Sequence, residues 1–218
     1  MNYLTIIFCM LALPVIYAGT ISIYQSDFTQ EENQKRIPLK SRDELIALAL
    51  AELALVRVWF SLGQCSIMNF EFLQLFVMLA GMLVFCMTDL WEKIVPNKIL
   101  LVLMLLWVII NGMRMVKDLS GFVRAAPSMF IGFVFSAMCF GGTYLLSKGS
   151  FGAGDVKLSL VMGLYLTGEY VTGAVLYGCI ISALYSVIML IMKKISKKDA
   201  IPFVPFLFLG VVIRYLAG

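Results

Sequence analysis

Apolar runs dominate the chain, and polar residues gather in short blocks between them. A helix needs about 20 mostly apolar residues to cross roughly 30 Å of hydrocarbon. By that measure residues 3–24, 45–62, 70–88, 99–113, 122–146, 156–168, 171–192 and 203–217 are eight candidate spans. The runs at 156 and 203 are short, which suits tilted or partly interfacial helices. The run at 45–62 carries Glu52 and Arg57, a pair that also fits an amphipathic helix lying on the membrane surface. Pro127 falls one turn into its run, where proline is tolerated. The first run lacks a basic start and a clean small-residue cleavage site, so Met1 to Gly19 is expected to be a retained anchor and not a signal peptide. The pattern predicts an all-α, polytopic transmembrane helix bundle of about eight spans. It forms one domain over 1–218, with N-terminal helices and a polar loop at 25–44 in residues 1–69 and a helical core in 70–218.

The loops between these spans carry charge unevenly. With eight crossings, the loops at 25–44, 89–98, 147–155 and 193–202 share one side. Together with Lys157 they hold twelve Lys and Arg, against three (Arg114, Lys117 and Arg124) on the other side. The positive-inside rule makes the first side cytoplasmic and puts both termini outside. The Lys193-Lys194-Ile195-Ser196-Lys197-Lys198 block is then a topology signal or a lipid contact.

Composition strengthens the membrane reading and narrows the chemistry. Apolar residues make up 61% of the 218 and charged residues 14%, and the mean hydropathy is +0.96; soluble domains carry nearer 25% charge. Disordered chains, coiled coils and secreted disulfide scaffolds are excluded by the same figures. The net charge of +4 lies in blocks flanking apolar runs, which argues for orientation in a bilayer and against nucleic acid. There is no histidine, so every Ser-His or Cys-His nucleophile pair, histidine zinc site and histidine-ligated haem is ruled out. Cys9, Cys65, Cys86, Cys139 and Cys179 show no C-x-x-C spacing and read as small buried hydrophobes, not a metal cage.

Two stretches on the cytoplasmic side carry candidate chemistry: Thr88-Asp89-Leu90-Trp91-Glu92-Lys93-Ile94-Val95-Pro96-Asn97-Lys98 and Gly149-Ser150-Phe151-Gly152-Ala153-Gly154-Asp155-Val156-Lys157. An aspartate is far cheaper to keep at a membrane boundary than at mid-bilayer. Asp89 and Asp155, 66 residues apart, are predicted at the same depth, where a bundle can bring them together. Two carboxyls in contact share a proton, so one serves as base and the other as acid. Such a pair can activate water against a peptide carbonyl with no metal, cofactor or covalent intermediate. Gly152 and Gly154 offer backbone free to take positive φ and to approach another chain closely, while Pro96-Asn97 breaks the helix after Asp89 and starts the next. Lys157 is most simply an orienting charge, although two residues from Asp155 it also favours ionisation of the pair. Taken alone, Asp155 reads more simply as an N-cap, and Asp89 as a cap for the following segment.

Asp89 followed seven residues later by Pro96-Asn97, then Gly152-Ala153-Gly154-Asp155-Val156-Lys157-Leu158, then Ile201-Pro202-Phe203-Val204-Pro205-Phe206, resembles the type IV prepilin peptidases, aspartic proteases of the GxGD type. The likeness runs from about residue 70 to the C-terminus. It implies that residues 70–218 are the GxGD peptidase core and that Asp89 and Asp155 are catalytic; Gly152, Gly154, Pro96, Asn97 and Lys157 are then expected to shape the substrate site around them. The implied activity is leader removal from prepilin or pseudopilin precursors at the cytoplasmic face of the inner membrane. Longer family members carry a cytoplasmic insert with two CxxC pairs that bind zinc, and they also N-methylate the new terminus. Residues 25–44 hold no cysteine, which argues for a shortened insert and against zinc and methyl transfer. The acids of that loop, Asp27, Glu31, Glu32, Asp43 and Glu44, are expected to steer the basic leader to the membrane. Three rivals are a presenilin-like protease, whose partner motif is Tyr-Asp where this chain has Thr88-Asp89, a proton-coupled transporter, and an inactive scaffold of pilus assembly.

Overall fold

A computed structural model describes residues 11–19, 41–61, 69–147, 151–194 and 201–217. All the described elements are helical. Residues 11–19 form α1. They are followed by α2 (Ser41–Ser61), α3 (Phe70–Glu92), α4 (Asn97–Lys117), α5 (Leu119–Ser136), a π-helical turn (Ala137–Gly141), α6 (Gly142–Leu146), α7 (Ala153–Ile191) and α8 (Val204–Ala217). Four stretches are long and apolar enough to cross a membrane: Phe70–Leu90, Asn97–Lys117, Leu119–Leu146 and Ala153–Ile191.

α3 is the centre of the bundle. Within its span 67% of the most apolar window is buried, against 22% in α4, 22% in α5–α6 and 17% in α7, whose outward faces are left for lipid. Asn69 starts α3 by accepting the Glu71 and Phe72 N–H groups on its side-chain oxygen, at 3.0 and 3.3 Å. α2 lays a helically spaced stripe of Ala47, Ala51, Ala54, Leu55 and Val58 against α3 and α8. Polar atoms within the apolar layer are paired across helices: Gln74 Nε2 donates to Asn111 Oδ1 (3.1 Å), Trp107 Nε1 to the Leu164 carbonyl (3.1 Å) and Tyr165 Oη to the Leu103 carbonyl (2.7 Å).

Several expected boundaries move. The runs at 156–168 and 171–192 are two helical segments, together the 39 residues of α7, that meet without a loop at a kink at Thr167 (φ 64°, ψ 167°). A straight helix of that length would reach about 58 Å, nearly twice the hydrocarbon thickness, so the break divides it into two segments. This conformation is costly for a β-branched residue, and α5 supports it by giving the Gly168 N–H a partner in Ser128 Oγ at 3.2 Å. α5 starts at Leu119, capped by Asp118, which places Pro127 in the helix interior and not its first turn. α2 covers Ser41–Ser61 and so takes in the end of the loop expected at 25–44. The rest of that loop, 25–40, lies outside the described residues, as do the side chains of Asp43 and Glu44. α8 has 14 residues, about 21 Å, and is too short to cross the hydrocarbon upright. Cys86 is buried, but Cys139 and Cys179 lie on the outer surface of the bundle, a place open to a small apolar residue because lipid, not water, covers that face. Cys9 and Cys65 lie outside the described residues.

The Asp118 cap carries a pH prediction. Its carboxylate accepts the Gly121 N–H (2.8 Å) and the Ser120 hydroxyl (2.9 Å), and the Gly121 bond first, then Ser120, hold it below the ordinary carboxylate range. A lowered folded value means the cap is fully formed above the unfolded value of about 3.9 and is lost as pH falls through the folded one. The Gly121 amide should therefore stay protected from hydrogen exchange, relative to an unfolded chain at the same pH, near pH 5 and lose that protection only in stronger acid. In Asp118→Ala the protection should be missing at both.

Candidate active site

The chain places Asp89 one turn before the end of α3. Its carbonyl accepts the Lys93 N–H at 3.0 Å, closing the helix on a left-handed Lys93 (φ 55°). Residues 93–96 then lead directly into α4, with Pro96 (φ −65°) as N-cap and Asn97 as the first helical residue. Asp89 is 5% exposed and Thr88 is fully buried; the Thr88 hydroxyl is turned back to the Phe85 carbonyl at 3.2 Å.

The second motif opens α7. Gly152 is the N-cap, and its carbonyl accepts the Asp155 N–H at 3.1 Å and the Val156 N–H at 3.4 Å. Asp155 is therefore the third helical residue and not the cap. Its half-buried carboxyl lies within electrostatic reach of Asp89. α3 and α7 pack against each other, which brings the end of α3 that carries Asp89 to the start of α7 that carries Asp155.

The glycines act differently from the expectation of positive φ. Gly152 has φ −67° and ψ 125°, ordinary extended backbone. What both positions need is room: a Cβ on Gly154 would sit 3.0 Å from Val95 Cβ, and one on Gly152 would sit 2.9 Å from Asp155 Oδ2. Gly154 thus lets the start of α7 lie against the turn that follows Asp89. Lys157 Nζ donates to Asn97 Oδ1 at 3.0 Å, a second tie between the two motifs. Pro96, Asn97, Gly154 and Lys157 are all brought to one place.

The third motif supplies what the residue types alone did not reveal. Val204 N–H donates to Asp89 Oδ2 at 2.9 Å. Phe203 stands in a triangle of rings with Phe140 of the π-turn and Phe151 ahead of α7, with centroids 5.9 to 6.0 Å apart. Pro202 and Pro205 were the available signal, since prolines around a helix start leave few free N–H groups there. Among the described residues no three His, Cys, Asp or Glu side chains converge as a metal set. Two carboxyls in mutual reach, one bonded by backbone and the other not, can divide a base and an acid between them.

A family described as the type IV leader peptidase family matches residues 76–187, about half of the chain. The prepilin leader peptidase/N-methyltransferase of Bacillus subtilis (strain 168) is 25% identical over 142 residues, which cover 65% of this chain and 54% of that protein. The chain therefore aligns with little more than half of that relative's length. No solved structure matches it.

Proposed function

Because the chain belongs to the type IV leader peptidase family, we propose that it is an aspartic endopeptidase of the cytoplasmic membrane that removes leaders from type IV pilin-like precursors. The observation that carries this reading is the Asp89–Asp155 pair at the ends of two apolar helices, joined by the Gly154–Val95 and Lys157–Asn97 contacts. The distribution of basic residues supports a cytoplasmic site.

In this mechanism the Asp89 carboxylate takes a proton from water as the water oxygen bonds to the scissile carbonyl carbon. Protonated Asp155 gives its proton to the carbonyl oxygen, leaving a tetrahedral gem-diol. Asp89 then passes its proton to the amide nitrogen and the C–N bond breaks. Asp155 recovers a proton from the collapsing gem-diol, so the pair ends as it began. The relative's name also carries N-methyl transfer, and we extend only the peptidase part to this chain.

The test is co-expression with a candidate prepilin. The chain should shorten the precursor at its leader junction, and mass spectrometry of the product should find an unmethylated N-terminus. A precursor left at full length beside a membrane-inserted chain contradicts the assignment.

A further inference from the structure

We propose that the backbone N–H of Val204 is a positioning group that fixes Asp89 as the base of the pair and leaves Asp155 as the acid. The inference rests on the peptidase reading and adds an assignment of roles to it. Its ground is an asymmetry in hydrogen bonding. Asp89 Oδ2 accepts the Val204 N–H at 2.9 Å, whereas among the described residues no donor reaches the Asp155 carboxyl. A carboxyl that accepts backbone N–H bonds is favoured in its ionised form, while one that accepts none holds the shared proton more readily.

The local sequence makes this donor available. The first N–H groups of a helix have no intrahelical partner. In α8, Pro205 has none to give, and the Phe206 and Leu207 N–H groups are directed to the Phe203 carbonyl at 3.1 and 3.2 Å. The Val204 N–H, on a fully buried residue, points out of the helix end to Asp89. The helix dipole adds a partial positive charge at the same place. The Phe140–Phe151–Phe203 triangle holds this helix start against the segment that precedes Asp155, so one aromatic clasp sets the donor relative to both carboxyls. The other titratable groups facing Asp89 are Asp155 from α7, Lys93 after α3 and the Cys86 thiol within α3.

The test compares V204P with V204A in the full membrane-inserted chain, beside wild type and D89N. Proline is tolerated at the first helical position, so V204P keeps the helix start while it removes the N–H and turns the ring Cδ to the Asp89 carboxyl in its place. V204A keeps the N–H while leaving a larger void. V204P should cleave about 10- to 100-fold more slowly, the loss expected for one hydrogen bond to a charged group. The acid side of its rate–pH profile should move to higher pH. V204A should keep the wild-type profile and stay within about threefold of the wild-type rate. Should V204P fail to insert, replacing the Val204 amide by an ester through the α-hydroxy analogue removes the same N–H with the side chain intact, and the same loss is expected. A wild-type profile in the variant lacking the N–H, or equal impairment of V204A with an unchanged profile, overturns the assignment. D89N separates the two levels: if D89N also cleaves like wild type the peptidase reading fails, and if only D89N is inactive the positioning role alone fails.

Discussion

Asp89→Asn and Asp155→Asn each leave the precursor at full length, with cleavage slower by about 10²- to 10⁴-fold, the range that general acid–base catalysis supplies. Asparagine keeps the shape of the side chain and the Val204 bond, since its carbonyl oxygen still accepts. What is lost is the ability to hold and release a proton. In Asp89→Asn no carboxylate remains beside the water to take its proton while Asp155 stays protonated. In Asp155→Asn the carbonyl oxygen loses its acid. Because the two groups act on one shared proton, the double variant should be no slower than the slower single variant. Quantitative immunoblotting of precursor and product, normalised to membrane-inserted chain, reads this. Rates that multiply in the double variant would point to independent roles.

Gly163→Ala should destabilise the bundle by at least about 2 kcal/mol, whereas Gly112→Ala should stabilise it by about 0.5 to 1 kcal/mol. The substitution is the same and only the surroundings differ. A Cβ on Gly163 would run into the backbone carbonyl of Gly132, and one on Gly132 into that of Gly163. The two helices touch through their backbones at this point, as small residues allow in membranes. A carbonyl on a packed helix cannot swing aside, so α5 and α7 must separate, close to the Thr167 break and the buried Ser136 hydroxyl. Nothing lies within 4 Å of a Cβ on Gly112, so there alanine only restricts the unfolded chain. Unfolding of the two variants in detergent, followed by circular dichroism, measures the contrast. Shifts of the same sign would show that the Gly132–Gly163 approach is not a close contact.

The comparison of sequence and structure divides along physical lines. Asp89, Pro96-Asn97 and Gly154-Asp155 were legible because each is a polar or conformationally special group at the edge of an apolar run, where few residue types are stable without a reason. The break in α7 was half legible. Hydropathy located an interruption near 168, but Thr167 carries no warning that its backbone turns over without a loop, since the support comes from Ser128 on another helix. The π-turn at Ala137–Gly141 is likewise invisible, because one extra residue per turn leaves the hydrophobic pattern almost unchanged. The boundary at Leu119 was recoverable from Asp118, which stands before Leu119-Ser120-Gly121 as a cap. The Val204 N–H was the hardest to read, being a backbone group that every residue but proline possesses. Only its 115-residue partnership with Asp89 distinguishes it.

The central claim is that the carboxyls of Asp89 and Asp155 stand together, and it is tested by distance. With the five native cysteines replaced, D89C and D155C are combined in one chain, cleaved by protease between α4 and α7 and treated with a short bifunctional thiol reagent in intact membranes. The account predicts that the two fragments stay joined on a gel, and that neither single variant gives a joined product. Efficient labelling of both thiols by a monofunctional reagent, with no joined product from the bifunctional one, would place the aspartates too far apart to share a proton and would contradict the mechanism.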